Sequence, residues 1–162
     1  MKKAIVTGAT GFIGSSFVQF LVDKGIDVVA LGRKPLEEVR KTRRKKIEGA
    51  HYINIDMKEI ENLDKKIAEI NWDTGKECVF FNLAWGGVNG LSDLDIHAQM
   101  KNVGWCVSAL EVSAEIGCSR FIQVGTMEEA FTYSYLKLDH HKNNQYNRHV
   151  IYSIAKIAAK NA

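Results

Sequence analysis

Apolar residues follow two rhythms along the chain: short unbroken or alternating runs, and longer stretches in which they recur every third or fourth position. The runs at residues 3–7, 27–31, 51–55, 78–84 and 120–124 are β-branched, aromatic or alternating, and predict five strands. Between the first two, Ile13, Phe17, Phe20 and Leu21 give residues 12–24 a helical face, with Gly25 as its stop. After Pro35 a basic helix is expected over residues 36–46, and Ile60, Leu63, Ile67 and Ile70 mark another. The longest helix is expected over residues 93–116, where Ile96, Met100, Val103, Val107, Leu110 and Ala114 share one face and Gly117 ends it. From residue 125 to about 149 no period is sustained, and residues 151–162 read as a helix without a C-terminal cap.

Strands that alternate with helices imply parallel pairing, because a parallel neighbour is reached only through a long, right-handed crossover. The expected fold class is therefore α/β, a doubly wound parallel sheet of at least five strands in the order 3-2-1-4-5. Neither a linker nor an internal repeat interrupts residues 1–162, so one domain is expected.

Composition narrows this picture without changing it. With 46% hydrophobic and 25% charged residues and one proline, the chain is of the ordinary globular kind, and collagen-like and disordered classes are excluded. Cys78, Cys106 and Cys118 are odd in number and lack CxxC spacing, which suggests neither a disulfide framework nor a zinc ribbon. Reduced thiols, the absence of an Asn-X-Ser/Thr sequon and the early glycines that break the apolar start after Val6 all favour a cytoplasmic protein. No segment approaches the roughly 18 apolar residues of a membrane span.

The net charge of +3 is unevenly spread: Arg33, Lys34, Arg40, Lys41, Arg43, Arg44, Lys45 and Lys46 cluster together. A solvated helix face explains the run, and the lack of any aromatic residue among positions 33–46 argues against a nucleic-acid surface. His140, His141 and His149 lack the spacing of a metal site and read as a polar loop, so no metal is expected.

Candidate chemistry concentrates in two places. The first is Gly8-Ala9-Thr10-Gly11-Phe12-Ile13-Gly14, set between the first strand and the first helix. There a glycine allows the tight turn, another lets backbone approach a pyrophosphate, and a third lets helix pack on strand, while the helix N-terminus offers N–H groups and partial positive charge. Dinucleotide binding follows, against the plainer reading of glycines that serve packing alone. The acidic residue that would accept adenosine ribose hydroxyls at the end of the second strand is replaced by Arg33, 19 residues after Gly14, while Asp27 opens that strand at the wrong end. A guanidinium there suits a 2′-phosphate, so NADP is favoured over NAD. Asp56 is either an acceptor for the adenine amino group or a turn-forming residue.

The second place is Tyr152-Ser153-Ile154-Ala155-Lys156, whose tyrosine and lysine share a helix face at four-residue spacing. A nearby ammonium is expected to lower the tyrosine pKa, which suits general acid/base work on an alcohol or carbonyl.

Together these residues resemble the extended short-chain dehydrogenase/reductases, specifically the NAD(P)-dependent epimerase/dehydratase family acting on nucleotide sugars. The family's TGxxGFIG opening matches Thr7 to Gly14, and its fourth-strand motif, where backbone passes the cofactor, resembles Asn82-Leu83-Ala84-Trp85 with Trp85 in place of a second alanine. A helix-borne asparagine resembles Asn102, and Thr126 stands where the family carries a Ser/Thr at the end of the fifth strand. The resemblance implies Tyr152 as acid/base, Lys156 tuning it and holding the nicotinamide ribose, Thr126 orienting the substrate oxygen, and Asn102 steadying its helix and a water. It implies hydride transfer at a sugar carbon, with Leu83 and Ala84 beside the cofactor. Glu128 and Glu129 either line the substrate pocket or are solvated.

Members of that family are roughly twice this length, so the chain is expected to be their N-terminal portion without the substrate domain, binding dinucleotide but not turning over nucleotide sugars. An unfinished sheet edge also invites a homodimer. A non-catalytic dinucleotide-binding sensor or interaction module is the alternative.

Overall fold

The structure is a computed structural model that describes residues 1–87, 95–137 and 149–162. The chain divides into two compact units, residues 1–84 with 108–124, and residues 85–107 with 125–162.

The first unit is built on strands β1 (Lys3–Thr7), β2 (Asp27–Gly32), β3 (His51–Asn54), β4 (Cys78–Asn82) and β5 (Arg120–Gln123). All pair in parallel, in the order β3-β2-β1-β4-β5. The expected fold class and strand order are thus those observed, with each strand end within two residues of its predicted place.

Alternation along the central strands sends neighbouring side chains to opposite faces. Ala4, Val6, Val28 and Ala30 pack with Val18 and Leu21 of helix α1 (Phe12–Asp23) on one face. Ile5, Val29, Leu31 and Phe80 pack on the other with Leu63 and Ile67 of α3 (Leu63–Glu69), and with Ala109 and Val112 of α4 (Ile96–Glu115). Each fully buried aliphatic side chain of this sandwich contributes about 1.5–3 kcal/mol.

Three expectations are corrected. The basic helix predicted over residues 36–46 is broken into a 3-10 turn, Leu36–Glu38, and α2, Lys41–Lys46. Val39 between them is extended and buried, and the crowded like charges that follow disfavour a longer helix. Second, the expected face Ile60, Leu63 and Ile67 is buried, but those of α1 and α4 are only partly so or not at all. In α1, Leu21 is buried and Phe17 packs on the core as expected, whereas Ile13 and Phe20 are exposed and Gly14, Ser15 and Val18 face inward, the first two small enough to let the helix lie close to the sheet. In α4, Ile96, Met100 and Leu110 are exposed, whereas Gln99, Asn102, Cys106, Ala109, Val112 and Ser113 are buried. Third, the stretch read as aperiodic contains α5 (Glu128–Leu136). The expected start of α4 at residue 93 lies outside the described residues, as do His140 and His141.

The second unit consists of the first part of α4, α5 and α6 (Val150–Asn161), with α5 and α6 packed together. Helix α6 buries Ser153, Ala155, Lys156 and Ala159 on one face.

Candidate functional site

In the sheet unit, the turn after β1 is drawn tightly against the end of β4. Thr7 Oγ1 donates to Asn82 Oδ1 at 2.6 Å and accepts from the backbone N–H of both Leu83 and Ala84 at 3.0 Å. Gly8 has a φ of +63°, and a Cβ there would lie 3.0 Å from Ala84 N. At Gly14 a Cβ would lie 2.1 Å from the Gly8 carbonyl oxygen, so the first turn of α1 rests directly on the strand exit. The structure therefore brings Gly8, Gly11, Gly14, Leu83 and Ala84 to one place.

No side chain caps α1, whose N-cap is Gly11, and Phe12 and Ile13 at its start are 80% and 68% exposed. Uncapped N–H groups at the head of a 12-residue helix, reached over a glycine surface, fit the pyrophosphate of NAD(P).

The end of β2 borders this turn: Ala9 N donates to Leu31 O at 3.1 Å, and a Cβ on Gly32 would meet Thr10 Cγ2 at 3.0 Å. Arg33 follows directly and is exposed. Arg43 of α2, read from sequence only as one of a solvated run, donates from Nη1 to the Thr10 carbonyl at 3.2 Å. Asp27 accepts from Trp72 Nε1 at 2.8 Å at the far end of the strand. Asp56 accepts from Lys58 N at 3.1 Å and caps the 3-10 helix Met57–Asn62, the turn-forming role that its residue type favours.

In the helical unit, Thr126, Tyr152 and Lys156 come together. Thr126 stands near enough to Tyr152 to bear on its titration, and the Lys156 ammonium lies 5.9 Å from the centre of the tyrosine ring. Trp85 completes the cluster. Its ring sits 3.8 Å beneath Lys156 Nζ, meets the Tyr152 ring edge-to-face at 6.0 Å, and is anchored by Nε1 donating to Gln99 Oε1 at 2.9 Å. Sequence reasoning had treated Trp85 as a departure from an alanine motif, and its indole is the platform on which Lys156 rests.

Asn102 clamps the same loop from α4. Its Oδ1 accepts from Gly86 N at 2.7 Å and its Nδ2 donates to Gly86 O at 2.9 Å. The buried polar residues of α4 thus include Gln99, whose Oε1 takes the Trp85 indole, and Asn102, whose amide is taken up on both sides by Gly86.

Thr126 also starts α5. Glu128 N donates to Thr126 Oγ1 at 3.4 Å, and Thr126 N donates back to Glu129 Oε1 at 2.8 Å, a capping box. Glu129 pairs with Lys160 at 3.6 Å, and buried Glu128 accepts contact from His149 Nδ1 at 3.3 Å. Among the described residues no group of three potential ligands could hold a metal ion.

Electrostatics depart from expectation at the tyrosine. Burial, aided by the Glu128 and Glu129 charges, raises the Tyr152 pKa above its ordinary 10, and the nearby Thr126 offsets part of this. The lowering expected from Lys156 is not realised, because the ammonium is drawn onto the indole. Burial in turn lowers Lys156 to about 8, against a smaller opposing effect of Cys106 and Glu129.

The lysine shift carries a stability prediction. Between pH of about 8 and the ordinary 10.5, the unfolded chain holds a proton that folded Lys156 has released, so stability from this residue rises with pH across that window and is lost as pH falls toward 8. Thermal melts of Lys156→Met and the unaltered chain should therefore change their separation across that window, the unaltered chain gaining on the variant as pH is raised. A pH-independent difference would mean that Lys156 is solvated.

Residues 4–162 match the NAD dependent epimerase/dehydratase family. The uncharacterized protein YbjS of Escherichia coli is 30% identical over 131 residues, which cover 81% of this chain and 36% of that protein. A UDP-glucose 4-epimerase of Thermus thermophilus, solved with NAD, superposes with a TM-score of 0.68 at 18% identity over 98% of this chain and 49% of its own. The Bordetella bronchiseptica enzyme WbmG, solved with NAD and UDP, gives 0.66 at 13% identity over 98% and 47%. The chain thus spans about a third to a half of these relatives. At such identities the solved structures speak for the fold, and it is the match across nearly the whole chain that carries the assignment: the chain belongs to the NAD dependent epimerase/dehydratase family.

Proposed function

We propose that the chain carries the dinucleotide-binding and acid/base residues of an NAD(P)-dependent nucleotide-sugar epimerase/dehydratase or reductase. The observation that carries this reading is the gathering of Tyr152 and the Lys156 ammonium about the Trp85 ring, with Thr126 near enough to bear on the phenol, a constellation that a purely structural helix pair does not need. Gly8, Thr10, Gly11, Phe12, Ile13 and Gly14, with Leu83 and Ala84, would hold the pyrophosphate side of the dinucleotide, and Lys156 its nicotinamide ribose. The bound dinucleotide supplies reversible hydride acceptance at a sugar carbon.

Tyr152 carries the proton. With its pKa raised, the phenol is protonated at neutral pH and is set to donate to a carbonyl oxygen. Thr126, beside the phenol, would orient that oxygen through its hydroxyl. Release of Lys156 from the Trp85 ring toward the phenol would favour the phenolate and hence the reverse, proton-accepting step. The UDP in the WbmG complex supports a nucleotide sugar as the substrate class.

NADP is the proposed cofactor form, on the exposed Arg33 beside the glycine turn. Arg33→Asp should weaken NADP(H) by about 1.5–3 kcal/mol and NAD(H) far less. Calorimetric titration with both cofactors tests this, and equal losses would refute the assignment. Cytoplasmic location and a homodimer belong to the same reading. Ile122, exposed on the edge strand β5, supports self-association. Among the described residues no helix is long and apolar enough to cross a membrane.

A second reading, a non-catalytic dinucleotide-binding module, is favoured by the raised Tyr152 pKa, to whose causes Lys156 does not contribute. Turnover assays with NAD(P) and a panel of nucleotide sugars, run beside cofactor titration in a chain of the relatives' full length, separate the two. Cofactor binding there without conversion of any sugar favours the module.

A further inference from the structure

Two sulfurs in the sheet unit lie together at the end of the sheet remote from the glycine turn. Cys78 opens β4, where it pairs with Lys3 at the start of β1, and Cys118 follows Gly117 after α4. Their Sγ atoms are 3.6 Å apart, although 40 residues separate them in the chain.

The backbone holds them there. Cys118 N donates to Ser113 O at 2.9 Å, closing the end of α4, and both Ser119 N and Ser119 Oγ donate to Cys78 O at 2.9 Å. Cys78 is fully buried and Cys118 half-buried, so one sulfur is accessible and the other waits behind it. Cys106, the third cysteine, is buried in the helical unit with its Sγ 3.8 Å from Ala159 O.

We propose that Cys78 and Cys118 form a disulfide-forming site whose co-reactants are small disulfides of the oxidised-glutathione class. The Cys118 thiolate attacks one sulfur of the small disulfide, forming a mixed disulfide and releasing one thiolate. Cys78, losing its proton, then attacks Cys118 Sγ and expels the second thiolate. Two protein thiols are oxidised to one disulfide, and one small disulfide is reduced to two thiols. Closing 3.6 Å to the roughly 2.05 Å of an S–S bond needs a movement of about 1.5 Å, within reach of a half-buried loop residue. The contact with Cys78 lowers the Cys118 pKa, which makes Cys118 the first nucleophile. The same contact is the largest cause of the raised Cys78 pKa, and it disappears once Cys118 has reacted.

The test is to treat the reduced, folded chain with oxidised glutathione, quench with an alkylating agent and map the peptides. The expected result is loss of two hydrogens, a Cys78–Cys118 linked peptide and alkylation of Cys106 alone. Tm should rise by at least about 5 °C, because the bond closes a loop of some 40 residues. Dinucleotide affinity should stay within about twofold, since the bond lies away from the glycine turn. Cys118→Ser should show neither the mass change nor the rise in Tm. A glutathione adduct that persists on Cys118, a linkage through Cys106 or between chains, or reaction only in denaturant would each overturn the proposal.

Discussion

Gly14→Ala should destroy dinucleotide binding and lower the Tm of the chain by about 10 °C. The new methyl would stand 2.1 Å from the Gly8 carbonyl oxygen and 2.9 Å from its carbon, and both are backbone atoms of the turn itself. Nothing flexible can yield, so either α1 lifts from the sheet or the turn opens, at a cost of about 3 kcal/mol or more. Either movement displaces the uncapped N–H groups from the glycine surface, and affinity should fall by at least about tenfold. Gly25→Ala is the matched control. Unlike Gly14 it sits at positive φ, +72°, but its Cβ would meet nothing within 4 Å, so it should cost only the local backbone strain of about 1 kcal/mol and leave binding unchanged. Normal binding and melting in Gly14→Ala would show that helix and strand are not in such close contact.

In a chain of the relatives' full length, Tyr152→Phe is expected to reduce turnover of nucleotide sugars by about 100- to 10,000-fold while leaving dinucleotide affinity nearly intact. Only the hydroxyl is lost, and the ring keeps its edge-to-face contact with Trp85. A structural role for the tyrosine predicts the opposite: little change in rate, with the effect confined to stability. Thr126 sharpens the comparison, because its hydroxyl caps the first turn of α5 and lies near enough to bear on the phenol's titration. Thr126→Ala should lose turnover and about 1 kcal/mol of stability together, whereas Thr126→Ser keeps both. Near-normal kcat in Tyr152→Phe would remove the acid/base assignment.

The sheet was legible because its signals are local and strong. The β-branched and aromatic runs at Val28–Val29 and Val79–Phe81 have no helical alternative, and the parallel order follows from the crossovers between them. The glycine turn was legible for the same reason. The face of Ile60, Leu63 and Ile67 was legible too, but those of α1 and α4 were not fully so, because they turn Gly14, Ser15, Gln99 and Asn102 inward, and what decides their orientation is close approach at Gly14 and the amide bonds of Gln99 and Asn102. Helix α5 hid behind Phe131, Tyr133 and Tyr135, whose two-residue spacing competes with its period, although Thr126-x-x-Glu129 announced its start. The direction of the Tyr152 pKa shift could not be read from spacing alone. A lysine four residues away is visible in sequence, but burial and an indole contributed from residue 85 are not.

Thr7 sets the order in which the cofactor cradle can be assembled. Its single hydroxyl spends its proton on Asn82 and its lone pairs on Leu83 and Ala84, partners 75 to 77 residues away in the chain. No local segment can therefore preform the bend after β4. It must await the pairing of β1 with β4, a contact whose loop-closure entropy is paid before any of these bonds is gained. A chain segment holding only β1, α1 and β2 would display the glycine turn without its opposing wall, so the turn and the bend after β4 are completed together, as one consequence of the pairing of β1 with β4.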